Sequence, residues 1–146
     1  MQIENNLIKG AVLLFLSICT IFDIRKKEIP LILAGVGMMA AVGFTIWRIR
    51  NESIYAAEIL LSLLPGLFFL FTGWCTKEKV GYGDGILLLI TGVMVGFNQC
   101  LAGLCISLFL SAFFGGLLLF LHKAQKNSRI PFVPFLTIGM GVCIIL

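Results

Sequence analysis

The chain has 146 residues, 60% of them hydrophobic and 12% charged, with a net charge of +4 and a mean hydropathy of +1.08. A soluble domain averages about 25% charged residues, so this chain lacks the polar surface a water-facing fold needs. Its pattern of long apolar runs split by short charged islands excludes a nucleic-acid reading of the positive charge and predicts a polytopic membrane protein, all-α, as one membrane-embedded domain over residues 1–146.

Six spans are expected, in chain order over residues 7–22, 30–47, 54–74, 84–97, 100–121 and 130–146. In lipid the backbone must satisfy its own hydrogen bonds, which makes each of them a helix. The opening MQIENNLIKG is nearly neutral, no small-x-small cleavage site follows, and the first apolar run ends directly in IRKK. It therefore reads as a retained membrane helix and not as a secretory signal. Residues 84–97 form the shortest run, which suits a helix surrounded by protein better than one facing lipid. Pro65 is expected to kink the third span, and Pro131 and Pro134 to open the last one with backbone carbonyls left free. His122 reads as a C-terminal cap of the fifth span. Cys19, Cys75, Cys100, Cys105 and Cys143 lie in or beside apolar runs without a CxxC pair, so they read as packing residues, with no metal or disulfide site expected.

The islands set the orientation. Arg25, Lys26, Lys27, Lys77, Lys79, Lys123, Lys126 and Arg129 fall after the first, third and fifth spans, whereas only Lys9, Arg48 and Arg50 fall on the other side. The positive-inside rule then places the three richer loops in the cytoplasm and both chain ends outside. Glu58, near the start of the third span, is expected at the outer interface.

This topology puts the only two aspartates, Asp23 and Asp84, on the same cytoplasmic side, one closing the first span and the other opening the fourth. A carboxylate at membrane depth costs roughly 2.5–3.5 kcal/mol on insertion scales, so it usually has a task. Spacing alone leaves two readings open. Asp84 suits a helix N-cap after a glycine turn, and Asp23 an interfacial residue paired with Arg25 or Lys27. Alternatively the two form a functional pair, and the glycines of GYGDG (Gly81, Gly83 and Gly85) leave room for a substrate strand to lie against the main chain. A small transporter or channel subunit binding cations at the two aspartates, or a non-catalytic scaffold of a secretion apparatus, are the competing classes. No repeat relates residues 1–73 to 74–146, and both acids lie at one face, which speaks against the transporter.

FDIRKKEIP, GYGDG and RIPFVPFLTIG, taken together and in that order, resemble the type IV prepilin peptidases, a branch of the GxGD membrane aspartyl proteases. That family pairs an aspartate a few residues before an Ile-Pro with the aspartate of GxGD, and many members carry an IPF-x-PFL-like segment in the last span. The resemblance implies a GxGD-protease-like helix bundle in the prokaryotic inner membrane with Asp23 and Asp84 catalytic. Its substrate would be a type IV prepilin or pilin-like precursor, cut at the cytoplasmic leader without a cofactor. Gly81, Gly83, Gly85, Lys77, Lys79, Pro131 and Pro134 would then position substrate or backbone. The chain departs from the family where Leu31 follows Ile-Pro and where Ile86 lies two residues past the GxGD aspartate. Larger members also carry a cytoplasmic insert with paired CxxC motifs, associated with N-methylation of the product. The present sequence has neither, and resembles the short members, which implies a peptidase without methyltransferase activity.

Two carboxylates sharing a site do not both ionise cheaply, so one activates water while the other, protonated, donates to the scissile carbonyl oxygen. Helix ends suggest roles: Asp84 near a helix N-terminus as the base, Asp23 near a C-terminus as the acid.

Overall fold

The computed structural model describes residues 2–26, 29–51, 56–76, 81–121 and 131–145. These form six helices and no strand: α1 (Gln2–Lys26), α2 (Leu31–Asn51), α3 (Ala56–Cys75), α4 (Tyr82–Val95), α5 (Phe97–Phe120) and α6 (Val133–Ile145). Four of them are long and apolar enough to cross a membrane, namely Asn6–Lys26, Leu31–Asn51, Ala57–Cys75 and Phe97–Leu118, while α4 and α6 are shorter apolar helices. The chain is therefore a multi-pass, all-α membrane protein. Lys77, Lys79, His122, Lys123, Lys126 and Arg129 lie outside the described residues.

Helices outrun the apolar runs that signal them. α1 continues through Asp23 to Lys26, and α2 reaches Asn51. Hydropathy marks only the stretch that lies in hydrocarbon, whereas the backbone gains by staying helical into the interface, where charged side chains reach water.

α4 is the hub. Its 14 residues would rise only about 21 Å, short of a hydrocarbon core of about 30 Å. It is protected by neighbours instead, burying Gly85, Leu87, Leu88, Ile90, Thr91 and Gly92. The single core gathers Val12, Leu16 and Cys19 from α1, Ala41 from α2, Leu87, Leu88 and Ile90 from α4, Cys100 and Leu104 from α5, and Val133, Leu136 and Met140 from α6. Where lipid competes for apolar contact, helices associate by close backbone approach at small residues. A Cβ at Gly66 would lie 2.6 Å from the backbone nitrogen of Leu89, and one at Gly92 would strike the carbonyl oxygen of Ser62, so α3 and α4 touch main chain to main chain. Pro65 precedes that contact inside α3. Gly103 and Gly139 do the same for α5 and α6, Gly139 lying directly against Ser107 Oγ and the Gly103 carbonyl.

α1 and α6 run antiparallel. The Thr20 and Thr137 hydroxyls meet at 2.7 Å, and the Thr137 hydroxyl also donates to the Leu16 carbonyl at 3.3 Å. Between α4 and α5 there is a single residue, Gly96, with φ at 96°. A side chain would be strained there, and the glycine lets α5 start at once in a new direction.

Candidate active site

Asp23 sits in the last turn of α1, 7% exposed. Its Oδ2 accepts a hydrogen bond of 3.1 Å from the backbone N–H of Val133, the first residue of α6. The local sequence explains why that N–H is available. The first N–H groups of any helix have no partner within it. In IPFVPF the flanking prolines Pro131 and Pro134 carry no N–H at all, so Val133 is the one donor between them besides Phe132. The start of α6 thus presents a donor to Asp23; the carbonyl of residue 130, which Pro134 would leave free, lies outside the described residues. The α1–α6 threonine contact one turn away holds the two helices in this register.

Asp84 lies in the first turn of α4. It is not the N-cap: that position belongs to Gly81, whose φ of −65° and ψ of 124° are extended, and no side chain caps the helix. The Asp84 N–H donates to the Gly81 carbonyl at 3.1 Å, and the carboxylate leans back over Gly81, where an added Cβ would stand 3.1 Å from Oδ2. Asp84 is half-buried, and its carboxylate takes no hydrogen bond among the described residues.

The remaining glycines of GYGDG have separate tasks. Gly83 receives Ile29, whose Cδ1 would be 2.8 Å from a Cβ at that position. Gly85 receives Leu70 of α3, at 2.7 Å. Ile29 and Pro30 form the entry to α2, the Pro30 carbonyl accepting from the N–H groups of Leu33 and Ala34 at 2.9 and 3.1 Å. So the segment that follows Asp23 is packed directly against the residue that precedes Asp84. Phe132 stacks on Phe69, centroids 5.6 Å apart, closing the site between α3 and α6.

The sum of these contacts brings Asp23 and Asp84, 61 positions apart in sequence, to the same end of the bundle and within electrostatic reach of one another. Pro131 and Pro134 belong to the same end through Val133. Glu58 does not: it lies with Gly96 and Phe97 at the opposite end of α4 from Asp84. Ile29 and the Val133 N–H were not singled out from sequence. The prolines around Val133 were the available signal for the second.

The sequence profile of the type IV leader peptidase family matches residues 10–121. The chain belongs to that family. Among curated proteins it is 30% identical over 102 residues to the prepilin leader peptidase/N-methyltransferase of Stutzerimonas stutzeri, covering 70% of this chain and 35% of that protein. The protein of the same name from Aeromonas hydrophila is 30% identical over 120 residues, 82% of this chain and 40% of its own. That of Xanthomonas campestris is 28% identical over 136 residues, 89% and 47%. The chain thus spans less than half the length of these relatives. No solved structure matches it.

Asp84 faces the start of its own helix, and Asp23, although it lies in the last turn of α1, accepts the first N–H of α6, so each carboxylate meets a helix N-terminus. The dipoles no longer distinguish base from acid.

Proposed function

We propose that this chain is an aspartyl endopeptidase of the inner membrane that cuts the cytoplasmic leader from type IV prepilins or pilin-like precursors. It acts as one six-span domain, with both termini outside and the active site on the cytoplasmic side. The observation that carries this reading is the placement of the chain's only two aspartates at one end of the bundle, one of them buried against the start of α6. The names of the relatives support the substrate class. Peptidase activity without N-methylation follows the resemblance to the short members of the family.

In the reaction, one carboxylate is ionised and takes a proton from a water held between the pair. The other, protonated, donates to the scissile carbonyl oxygen as the water adds. The resulting tetrahedral species collapses by breaking the C–N bond, with the proton gained from water passed to the departing amine. The Val133 N–H fixes the Asp23 carboxylate through this cycle, and the side-chain-free edge at Gly81, met only by the Asp84 carboxylate itself, leaves room for an extended strand there, while Gly83 is taken by Ile29. Because the acids are coupled, their ionisations belong to the pair.

Co-expression with a short precursor carrying a basic leader, a glycine and an apolar helix tests the reading. The precursor should shorten at the leader boundary, and its new N-terminus should remain unmethylated. An uncut precursor in the presence of the accumulated wild-type protein would refute the proposed activity.

A further inference from the structure

The end of the bundle remote from the aspartates holds a cavity of about 290 Å³, bounded by the last turns of α2, the first turns of α3 and the α4–α5 corner. Thr45, Arg48, Glu58, Ser62, Gly96 and Asn98 line it, with apolar side chains between them. From Asp84 to Gly96 the chain climbs twelve residues of helix, about 18 Å, so this is a separate site and not an annex of the first.

Its chemistry has two signs. Arg48 supplies a cation, held over the Phe44 ring at 5.7 Å from its centroid. Glu58 supplies an anion from the facing helix. The hydroxyls are committed as donors: Thr45 donates to the Ala41 carbonyl at 2.8 Å, and Ser62 to the Ile59 carbonyl at 2.7 Å. Toward the cavity these two oxygens therefore only accept. A cation with N–H groups satisfies Glu58, Thr45 and Ser62 together, while Arg48 and the Asn98 amide suit a phosphate. The helix ends agree, since α3 and α5 begin here, favouring an anion, and α2 and α4 finish here, favouring a cation.

The location selects the carrier. α2 and α3 are both long enough to span, and the cavity lies at their shared end, so a bilayer spanned by the two would bring its headgroups to it. The cavity's volume of about 290 Å³ is just below the roughly 300–1,000 Å³ of drug-sized ligand pockets, enough for a headgroup. We propose that this cavity is a binding site for a phospholipid whose headgroup joins a phosphate to a primary ammonium, as in phosphatidylethanolamine. Phosphatidylcholine carries the same charges but has no N–H to give the three acceptors.

The test uses the whole chain in nanodiscs containing equal phosphatidylethanolamine, phosphatidylcholine and phosphatidylglycerol with identical acyl chains. Transfer to mild detergent and native mass spectrometry then read which lipid stays bound. Phosphatidylethanolamine should be retained about tenfold over phosphatidylcholine, the ratio that one charge-assisted hydrogen bond supplies. Glu58→Gln should bring that ratio near unity, and Arg48→Gln should lower retention of both. The wild-type ratio needs no variant to fold. Equal retention of the three lipids, or preference for phosphatidylglycerol, overturns the proposal. So does a ratio unchanged in Glu58→Gln, or release of the lipid by millimolar soluble phosphoethanolamine, which would assign the cavity to a free small molecule.

Discussion

Gly83→Ala probes how the two aspartates are held in register. The new Cβ would stand 2.8 Å from Ile29 Cδ1 and 3.3 Å from Ile29 Cβ and Cγ1. Carbon atoms pack best at about 3.5–4.0 Å, so the overlap with Cδ1 is roughly 0.7–1.2 Å. Rotating the end of the Ile29 side chain relieves that part. It does not move Cβ, which is fixed to the backbone, so the Ile29–Pro30 turn must retreat by a few tenths of an ångström. Overpacking of this kind costs about 1–3 kcal/mol, within what a folded bundle tolerates. Catalysis is more sensitive, because a misplacement near 1 Å can cost about 100-fold. Gly83→Ala should therefore lower kcat/KM for leader cleavage by roughly 10- to 100-fold while the protein still accumulates in the membrane. Ile29→Gly in the same chain removes all of the colliding atoms, Cβ included, and the double variant should regain most of the loss, a coupling of about 0.5–3 kcal/mol in a double-mutant cycle. The assay is cleavage of a leader-bearing peptide by detergent-purified enzyme, alongside a thermal melt. Full activity in Gly83→Ala, or a double variant no better than the single one, would show that this contact does not position the pair.

Val133→Pro removes the N–H that Asp23 accepts at a helix position where proline is tolerated, and should cost about 10- to 100-fold in cleavage rate, as expected for a hydrogen bond to a charged group. Gly139→Ala drives a methyl group onto Ser107 Oγ and the Gly103 carbonyl, so the α5–α6 pair should loosen by about 1–3 kcal/mol, seen as a lower Tm, whereas Cys105→Ser, at an exposed position, should melt and cleave as wild type. In a cysteine-free variant, Lys26→Cys should react with an impermeant thiol reagent only from the cytoplasm and Asn51→Cys only from outside; the reverse pattern would invert the topology.

Much of the architecture is written locally. The six apolar runs announce the six helices, and the brevity of the fourth correctly marks α4 as the one enclosed by the others. The helix ends do not appear in hydropathy, because Arg25, Lys26, Arg48 and Arg50 continue helices in a region where water can reach them. The two aspartates are conspicuous by rarity and by their glycine and Ile-Pro settings. What holds them is not visible at that level. The Val133–Asp23 hydrogen bond links positions 110 apart, and the packing of Ile29 on Gly83 depends on how α2 enters the bundle. The Arg48–Glu58 cavity likewise arises only when α2 and α3 close on the α4–α5 corner, which turns at the positive φ of Gly96. Reading Asp84 as an N-cap failed for a local reason: the helix begins two residues earlier, at Tyr82, with Gly81 in the capping position.

The central claim is that Asp23 and Asp84 together do the proton chemistry, and single-site amide variants test it most directly. Wild type, Asp23→Asn and Asp84→Asn are purified, reconstituted in liposomes and mixed with a leader-bearing precursor, and the products are weighed by mass spectrometry. Each substitution keeps the size of the side chain and removes its acid–base function. The wild type should cleave at one peptide bond and neither variant should cleave, with all three proteins recovered in equal amount. Cleavage at the wild-type rate by either variant would contradict the claim.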